Sequence, residues 1–171
     1  EGIIAADYFR KVRDYGRELI QKKKANPTDD ILSNVIQAEI DGERLTDRET
    51  ESFFILLFSA GSETTRSAIG GSMLAFIQNP DQMRKLRGDP SLMRWALEEI
   101  VRWTTPSIYK RRTVTQDTEI AGQKIAANQK VTIWEMSANR DETKFDRPFA
   151  FDIARKPNRH IGFGAGVALD G

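Results

Sequence analysis

The chain has 171 residues, 39% of them hydrophobic, with 26 Lys and Arg set against 25 Asp and Glu. That balance, with no basic block beyond Lys22-Lys23-Lys24, gives no support to a nucleic-acid or anionic-membrane surface. Zero cysteines exclude disulfides, thiolate metal sites and cysteine nucleophiles, a single histidine argues against a zinc centre, and no apolar run of about 18 residues marks a membrane segment.

Residues 4–23 place Tyr8, Val12, Tyr15 and Leu19 on one stripe, which predicts an amphipathic helix ended by Asn26-Pro27-Thr28. The N-terminus leads straight into that helix without a signal-peptide pattern, so a cytoplasmic location is expected. A shorter helix is expected from about Asp30 to Ile40, capped by Asp29, with Ile31, Val35 and Ala38 on its buried side. Asp41-Gly42-Glu43 then makes a turn. Thr46-Asp47-Arg48-Glu49 has the form of a capping box, and the long helix it opens is apolar on nearly all sides from Phe53 to Ile77. Such a helix belongs in the middle of a larger protein. Asn79-Pro80 ends it, a short helix follows over Asp81–Leu86, and a longer one over Ser91–Thr104 carries Trp95, Ile100 and Trp103.

After Pro106 the pattern becomes strand-like near Lys110–Val114, Thr118–Ile120, Gln123–Ile125 and Lys130–Trp134, with turns at Ala121-Gly122 and Ala127-Asn128. From Ser137 onward the chain reads as irregular, with at most one short helix near Asp141–Phe145; so long a structureless stretch is usually functional. The fold class is mainly α with a small β region. A single partial domain is expected, with helices over 4–104, β-hairpins over 108–135, and a meander with a glycine-rich loop over 137–171.

Three constellations could carry chemistry. Ala60-Gly61-Ser62-Glu63-Thr64-Thr65 interrupts the apolar helix with polar residues and a glycine that costs about 1 kcal/mol in a helix interior. Threonine back-bonding there would bend the helix, and a functional site or a kink tolerated for packing accounts for it equally well. Glu99 and Arg102, three apart on one helix face, read by themselves as a surface salt bridge worth under about 1 kcal/mol. His160-Ile161-Gly162-Phe163-Gly164-Ala165-Gly166 is a glycine-rich loop whose backbone can approach a flat ligand. A phosphate loop is rejected, because the GxxxxGK[ST] pattern is missing and no helix signal follows.

Taken in order, AGxETT, ExxR, Arg112-Thr113, Ser137-Ala138-Asn139-Arg140-Asp141, the run Phe145–Asp152 and HxGFGxG resemble the cytochrome P450 family over nearly the whole chain. Within it, the motifs look most like soluble bacterial members that oxidise sterols and branched lipids. The resemblance implies a partial cytochrome P450 fold, with a long kinked central helix, an ExxR helix, β-hairpins and an irregular meander leading to a haem loop. It implies haem as cofactor. Ala60 and Gly61 would then lie over the distal haem face, and Glu63 and Thr64 would resemble the acid and alcohol that relay protons there. Glu99 and Arg102 would form a buried structural pair. Arg112 and His160 would hydrogen-bond the haem propionates; His160 as an axial ligand in place of the thiolate ranks well behind that role, since it would have to move past the loop to reach iron. Phe163 and Gly164 would belong to the proximal loop.

The match fails at one point. The family's loop ends in the cysteine that ligates haem iron, and that position falls on Asp170, or on Gly171 for the longer loop of sterol-oxidising members. Neither supplies sulfur. The usual loop histidine is also missing, and Ala150 stands where many members carry an arginine that supports the ExxR pair. A full member would be roughly twice to two and a half times as long. Uncovered apolar surface and self-association are therefore expected. The parent enzyme would insert oxygen from O2 into a small apolar substrate of sterol or lipid type, served by an electron-donor protein (a ferredoxin or reductase). This chain itself is expected to be inactive; the alternatives are a non-catalytic interaction protein derived from the fold, or a weak haem binder without thiolate.

Overall fold

In the computed structural model, which describes residues 2–164, contacts gather into two compact units, one ending at Glu63 and the other starting at Thr64. The first unit holds helix α1 (Gly2–Ala25), helix α2 (Ile31–Gln37), strands β1 (Glu39–Ile40) and β2 (Glu43–Arg44), and the start of helix α3 (Asp47–Gln78). Asp30, not the expected Asp29, caps α2: its carboxylate accepts from the Ser33 amide at 3.0 Å and from Lys23 Nζ at 2.7 Å. With the cap set there, Leu32 and Ser33 turn inward and Ile31 is left 61% exposed, so the expected face of Ile31, Val35 and Ala38 is not the buried one. The helix also stops at Gln37, short of Ile40. Asp41 and Gly42 adopt positive φ of 54° and 82° and close a two-residue hairpin that pairs Ile40 with Glu43 and Glu39 with Arg44. The turn was legible; the strand pairing it imposes on the end of the expected helix was not.

The core of this unit is Ile20, Leu32 and Phe54, with Val12, Leu19 and Ile36 packed against it. Tyr8 and Tyr15, expected on the buried stripe of α1, are 65% and 60% exposed. The buried row instead passes through Gly16, whose missing side chain makes room for the Phe54 ring: a Cβ there would stand 2.4 Å from Phe54 Cδ1. The capping box forms as expected, the Glu49 amide donating to Thr46 Oγ1 at 3.3 Å and the Thr46 amide to Glu49 Oε2 at 2.8 Å. From there α3 runs without a break through residues 60–65 into the second unit.

The second unit continues with α4 (Pro80–Gly88), a 3₁₀ turn (Pro90–Leu92) and α5 (Met93–Thr104). Proline at the first position of α4 and of the 3₁₀ turn starts each one where its missing N–H costs nothing. Beyond α5, strand β3 (Tyr109–Thr113) pairs antiparallel with β6 (Lys130–Trp134), and between them lies the hairpin of β4 (Thr118–Ile120) and β5 (Gln123–Ile125). The inner turn is Ala121-Gly122 at φ 50° and 80°, and Asn128 also lies at positive φ, as the turn residues predict. A short helix α6 (Glu135–Ala138) follows. The helix expected over Asp141–Phe145 is replaced by turns, because the Asp141 carboxylate captures the Thr143 amide at 2.8 Å and its hydroxyl at 2.7 Å. Ala75 and Phe76 of α3, Ala96 of α5, and Phe151 and Ile153 of the meander form the core, Phe76 meeting Phe151 edge-on at 5.3 Å.

Helix α3 is apolar all round but is not covered all round: Leu56 and Phe58 in the first unit, and Ile69, Met73 and Ile77 in the second, are exposed. The uncovered apolar surface expected from sequence is present. Among the described residues no helix is long and apolar enough to cross a membrane.

Two outcomes follow for the first unit. Gly16→Ala should push the Phe54 ring aside and cost about 1–3 kcal/mol of overpacking, offset by up to about 1 kcal/mol of helix propensity, read as a lower urea midpoint by circular dichroism. Lys23 and Thr28 hold the Asp30 carboxyl well below its ordinary range, and the Thr46 hydroxyl and amide lower that of Glu49. Both groups bind fewer protons folded than unfolded, so their stabilisation is complete above the ordinary carboxylate range of about 4 and fades as pH falls below it. The helical melting midpoint should drop between about pH 5 and pH 3, and Asp30→Asn should flatten that dependence.

Candidate functional site

Glu99 and Arg102 lie one turn apart on α5, and both are fully buried. Arg102 grips the carboxylate as a fork, Nε to Oε2 at 2.7 Å and Nη2 to Oε1 at 2.8 Å. This is no surface salt bridge of the kind their spacing alone implies. Glu99 accepts three further bonds: from the Asp152 amide at 2.9 Å, Arg155 Nε at 3.1 Å and Asn158 Nδ2 at 3.1 Å. Arg102 spends its remaining donors on the carbonyls of Asn139 (2.8 Å), Pro148 (2.8 Å) and Ala150 (3.1 Å). Arg155 bonds the carbonyls of Asp146, Arg147 and Ala150. The loss expected from Ala150, in place of a supporting arginine, is thus made good: Arg155 supplies the guanidinium, and the Ala150 carbonyl accepts from both arginines. Buried charge is tolerated here because both Glu99 oxygens and all the Arg102 N–H groups are matched, while Asn158 Oδ1 is buried without a hydrogen-bond partner among the described residues.

Asn139 extends the cluster toward the glycine loop. Its Nδ2 donates to Thr105 Oγ1 at 3.1 Å, and its Oδ1 accepts from the Ile161 amide at 2.9 Å. Arg140 turns the other way, donating to the Trp103 carbonyl at 2.8 Å and lying 5.3 Å from the Trp103 ring; burial, then the nearby Arg102 charge, lowers its pKa. The loop itself sits tight on α5. A Cβ on Gly162 would stand 2.6 Å from Val101 Cγ1, and Gly164 takes φ 91°. Only glycine meets both demands. His160 Nε2 lies 2.8 Å from Glu98 Oε2, its Nδ1 accepts from the Gly162 amide at 3.2 Å, and its ring meets Phe163 at 5.9 Å.

Next to this loop, within the second unit, is a cavity of about 370 Å³. Thr64, Thr65, Ala68 and Ile69 of α3 form one wall; Leu97, Glu98 and Val101 of α5, with Pro106 and Phe163, form the other. Of the residues singled out from sequence, Thr64 and Phe163 are brought to this one cavity. Ala60, Gly61 and Glu63 lie on α3 within the first unit. Arg112 sits opposite Val131 on β3, exposed, with Nη1 on the Arg111 carbonyl at 3.1 Å. His160 is engaged by Glu98 and Gly162, and Asp170 and Gly171 fall outside the described residues. Asn139 lies in the motif of residues 137–141 read from sequence, which assigned it no role. Arg155, Asn158 and Glu98 were missed: each is an isolated polar residue, and no local spacing distinguishes it from a solvated one. Glu135, buried and paired with Lys110 across from β3, was missed for the same reason.

A haem meets a divided reception. The apolar walls and the low profile of Gly162 and Gly164 suit a flat ring. The ligand set does not: thiolate ligation needs a cysteine and the chain has none. Its single imidazole already has both nitrogens engaged. Among the described residues no cluster of three His, Cys, Asp or Glu side chains could hold a metal ion.

Comparison with known proteins is consistent along the chain. The family model for cytochrome P450 matches residues 4–168. The Mycobacterium tuberculosis protein named cytochrome P450 126 is 55% identical over 164 residues, covering 94% of this chain and 40% of that protein. The methyl-branched lipid omega-hydroxylase of Mycobacterium bovis is 51% identical over 155 residues, covering 90% of this chain and 36% of the relative. Among solved structures, cytochrome P450 CYP268A2 of Mycobacterium marinum in complex with pseudoionone superposes with a TM-score of 0.83 at 39% identity, over 92% of this chain and 38% of that one. The chain therefore spans about two-fifths of the curated relatives it matches.

The buried cluster predicts a sharp contrast between two basic residues. Arg155→Ala should cost about 3–5 kcal/mol in urea unfolding, because Glu99 and three carbonyls lose a donor with no water to replace it. Lys144→Ala, at an exposed position, should stay within about 0.5 kcal/mol of wild type.

Proposed function

The chain belongs to the cytochrome P450 family, whose cofactor is haem, and from that membership we propose that it is the part of a monooxygenase that builds one haem wall and the seat of the proximal loop. The observation that supports this most is the cavity where Thr64 and Phe163 meet, set directly on the α5 helix that carries the buried Glu99–Arg102–Arg155 cluster. In the parent enzyme, haem held by a cysteine thiolate supplies the insertion of one oxygen atom into an apolar substrate. A branched lipid or sterol is the substrate class proposed, in line with the lipid hydroxylase named among the relatives. A ferredoxin or reductase would deliver the electrons.

On this reading Thr64 contributes a hydroxyl to the cavity wall, and Glu63, which does not line that cavity, is carried as the proton-relay acid on the family resemblance alone. Arg112 and His160 are the proposed propionate partners. For His160 that role requires exchange, since its Nε2 already faces the Glu98 carboxylate at 2.8 Å. By itself the chain is inactive on this proposal, because none of its 171 residues is a cysteine. A second reading, a non-catalytic protein that packs against a partner or another copy, is favoured by the uncovered apolar face of α3 at Ile69, Met73 and Ile77. A third is weak haem binding without thiolate.

The visible spectrum of the purified chain, loaded with haemin, reduced and exposed to carbon monoxide, separates these readings. No thiolate-type Soret band is expected. A thiolate-type band would overturn the proposal of inactivity, an imidazole-type band would favour the weak binder, and no haem band would favour the interaction protein.

A further inference from the structure

Two adjacent glutamates on α5 face different tasks. Glu99 is consumed by the arginine cluster, while Glu98 points at the glycine loop and meets His160 Nε2 at 2.8 Å. The His160 side chain is only 5% exposed, whereas Glu98 is 47% exposed. The other imidazole nitrogen, Nδ1, takes the Gly162 N–H at 3.2 Å. A nitrogen that accepts a hydrogen bond carries no proton, so a neutral His160 holds its proton on Nε2, and the atom facing that proton is a carboxylate oxygen, an acceptor only. Both partners therefore enforce the same tautomer.

The consequence reaches the cavity. The Gly162 bond back to His160 closes a tight turn, Gly162 has no space for a side chain against Val101, and the next residue, Phe163, places its ring against the imidazole at 5.9 Å and on the cavity wall. Remove the Glu98 oxygen and Nε2–H becomes a buried donor without an acceptor, which favours moving the proton to Nδ1 and breaking the Gly162 bond. We infer that Glu98 is a positioning residue: through the Nε2–H tautomer of His160 it sets the Gly162–Phe163 turn on the cavity wall. This role concerns the chain without haem and does not rest on the proposed function; a propionate bound at Nε2 would take the place of the Glu98 oxygen.

His160 is the only histidine in the chain, so long-range ¹H–¹⁵N NMR of the intact 171-residue protein reads its tautomer without ambiguity. At a pH of about 8.5, above the ordinary histidine range, wild type should show Nε2–H with a His160–Phe163 ring contact in the NOE spectrum. Glu98→Ala should lower the Nε2–H to Nδ1–H ratio by about tenfold or more and weaken that contact. Glu98→Gln, which can still offer an oxygen to Nε2–H, should restore both. Far-UV circular dichroism of the three proteins separates these effects from unfolding, and the wild-type spectrum alone decides if Glu98→Ala does not fold. Nδ1–H in wild type, an unchanged tautomer in Glu98→Ala, or Glu98→Gln losing the tautomer as fully as Glu98→Ala would each overturn the inference.

Discussion

A single buried carboxylate organises the second unit. Glu99 accepts five hydrogen bonds, from Arg102 twice, from Arg155, from Asn158 and from the Asp152 backbone. A buried charge costs several kcal/mol unless paired and fully hydrogen-bonded, so the cluster persists only as a complete set. The same two guanidiniums solve a second problem. The chain from Asn139 to Arg155 has no regular structure to satisfy its carbonyls, and Arg102 and Arg155 bond those of Asn139, Asp146, Arg147, Pro148 and Ala150. An irregular meander is held in place by side chains that do the work of a sheet or helix ladder.

That order is passed on to the glycine loop. Asn139 links the end of α5, through Thr105, to the Ile161 amide, so the loop is tied to the helix that carries Glu99. Gly162 against Val101 and His160 against Glu98 fasten its next residues. The cavity wall that Phe163 contributes is thus an outcome of electrostatics two steps away and not of local loop preference. The wall opposite is α3, whose Thr64 and Ile69 face the same space.

The apolar surface left open on α3 follows from the same arithmetic of covering. A helix apolar on all sides needs neighbours on all sides, and the chain spans about two-fifths of the relatives it matches. The long helix is built for a larger surround than these residues supply, while the Glu99 cluster is complete within them.

Much of the architecture was legible in the residues themselves. The capping box at Thr46, the strand limits near 109–134 and the Ala121-Gly122 turn depend on local sterics and hydrogen bonding, which a few neighbouring residues determine. The ordered series of motifs from AGxETT to HxGFGxG was sufficient to place the chain in its family, and the absence of cysteine is a fact of composition. What tertiary structure alone decided is which polar residues are buried. Glu99 and Arg102 have the spacing of a solvated pair, and Arg155 and Asn158 have no spacing at all that marks them. Their importance arises because segments about 40 to 60 residues apart, α5 and the meander, close on one another and exclude water. The buried face of α2 was decided in the same way, by a cap at Asp30 tied to Lys23 on another helix. Long-range contact turns an ordinary charge into a structural one, and no local pattern records it.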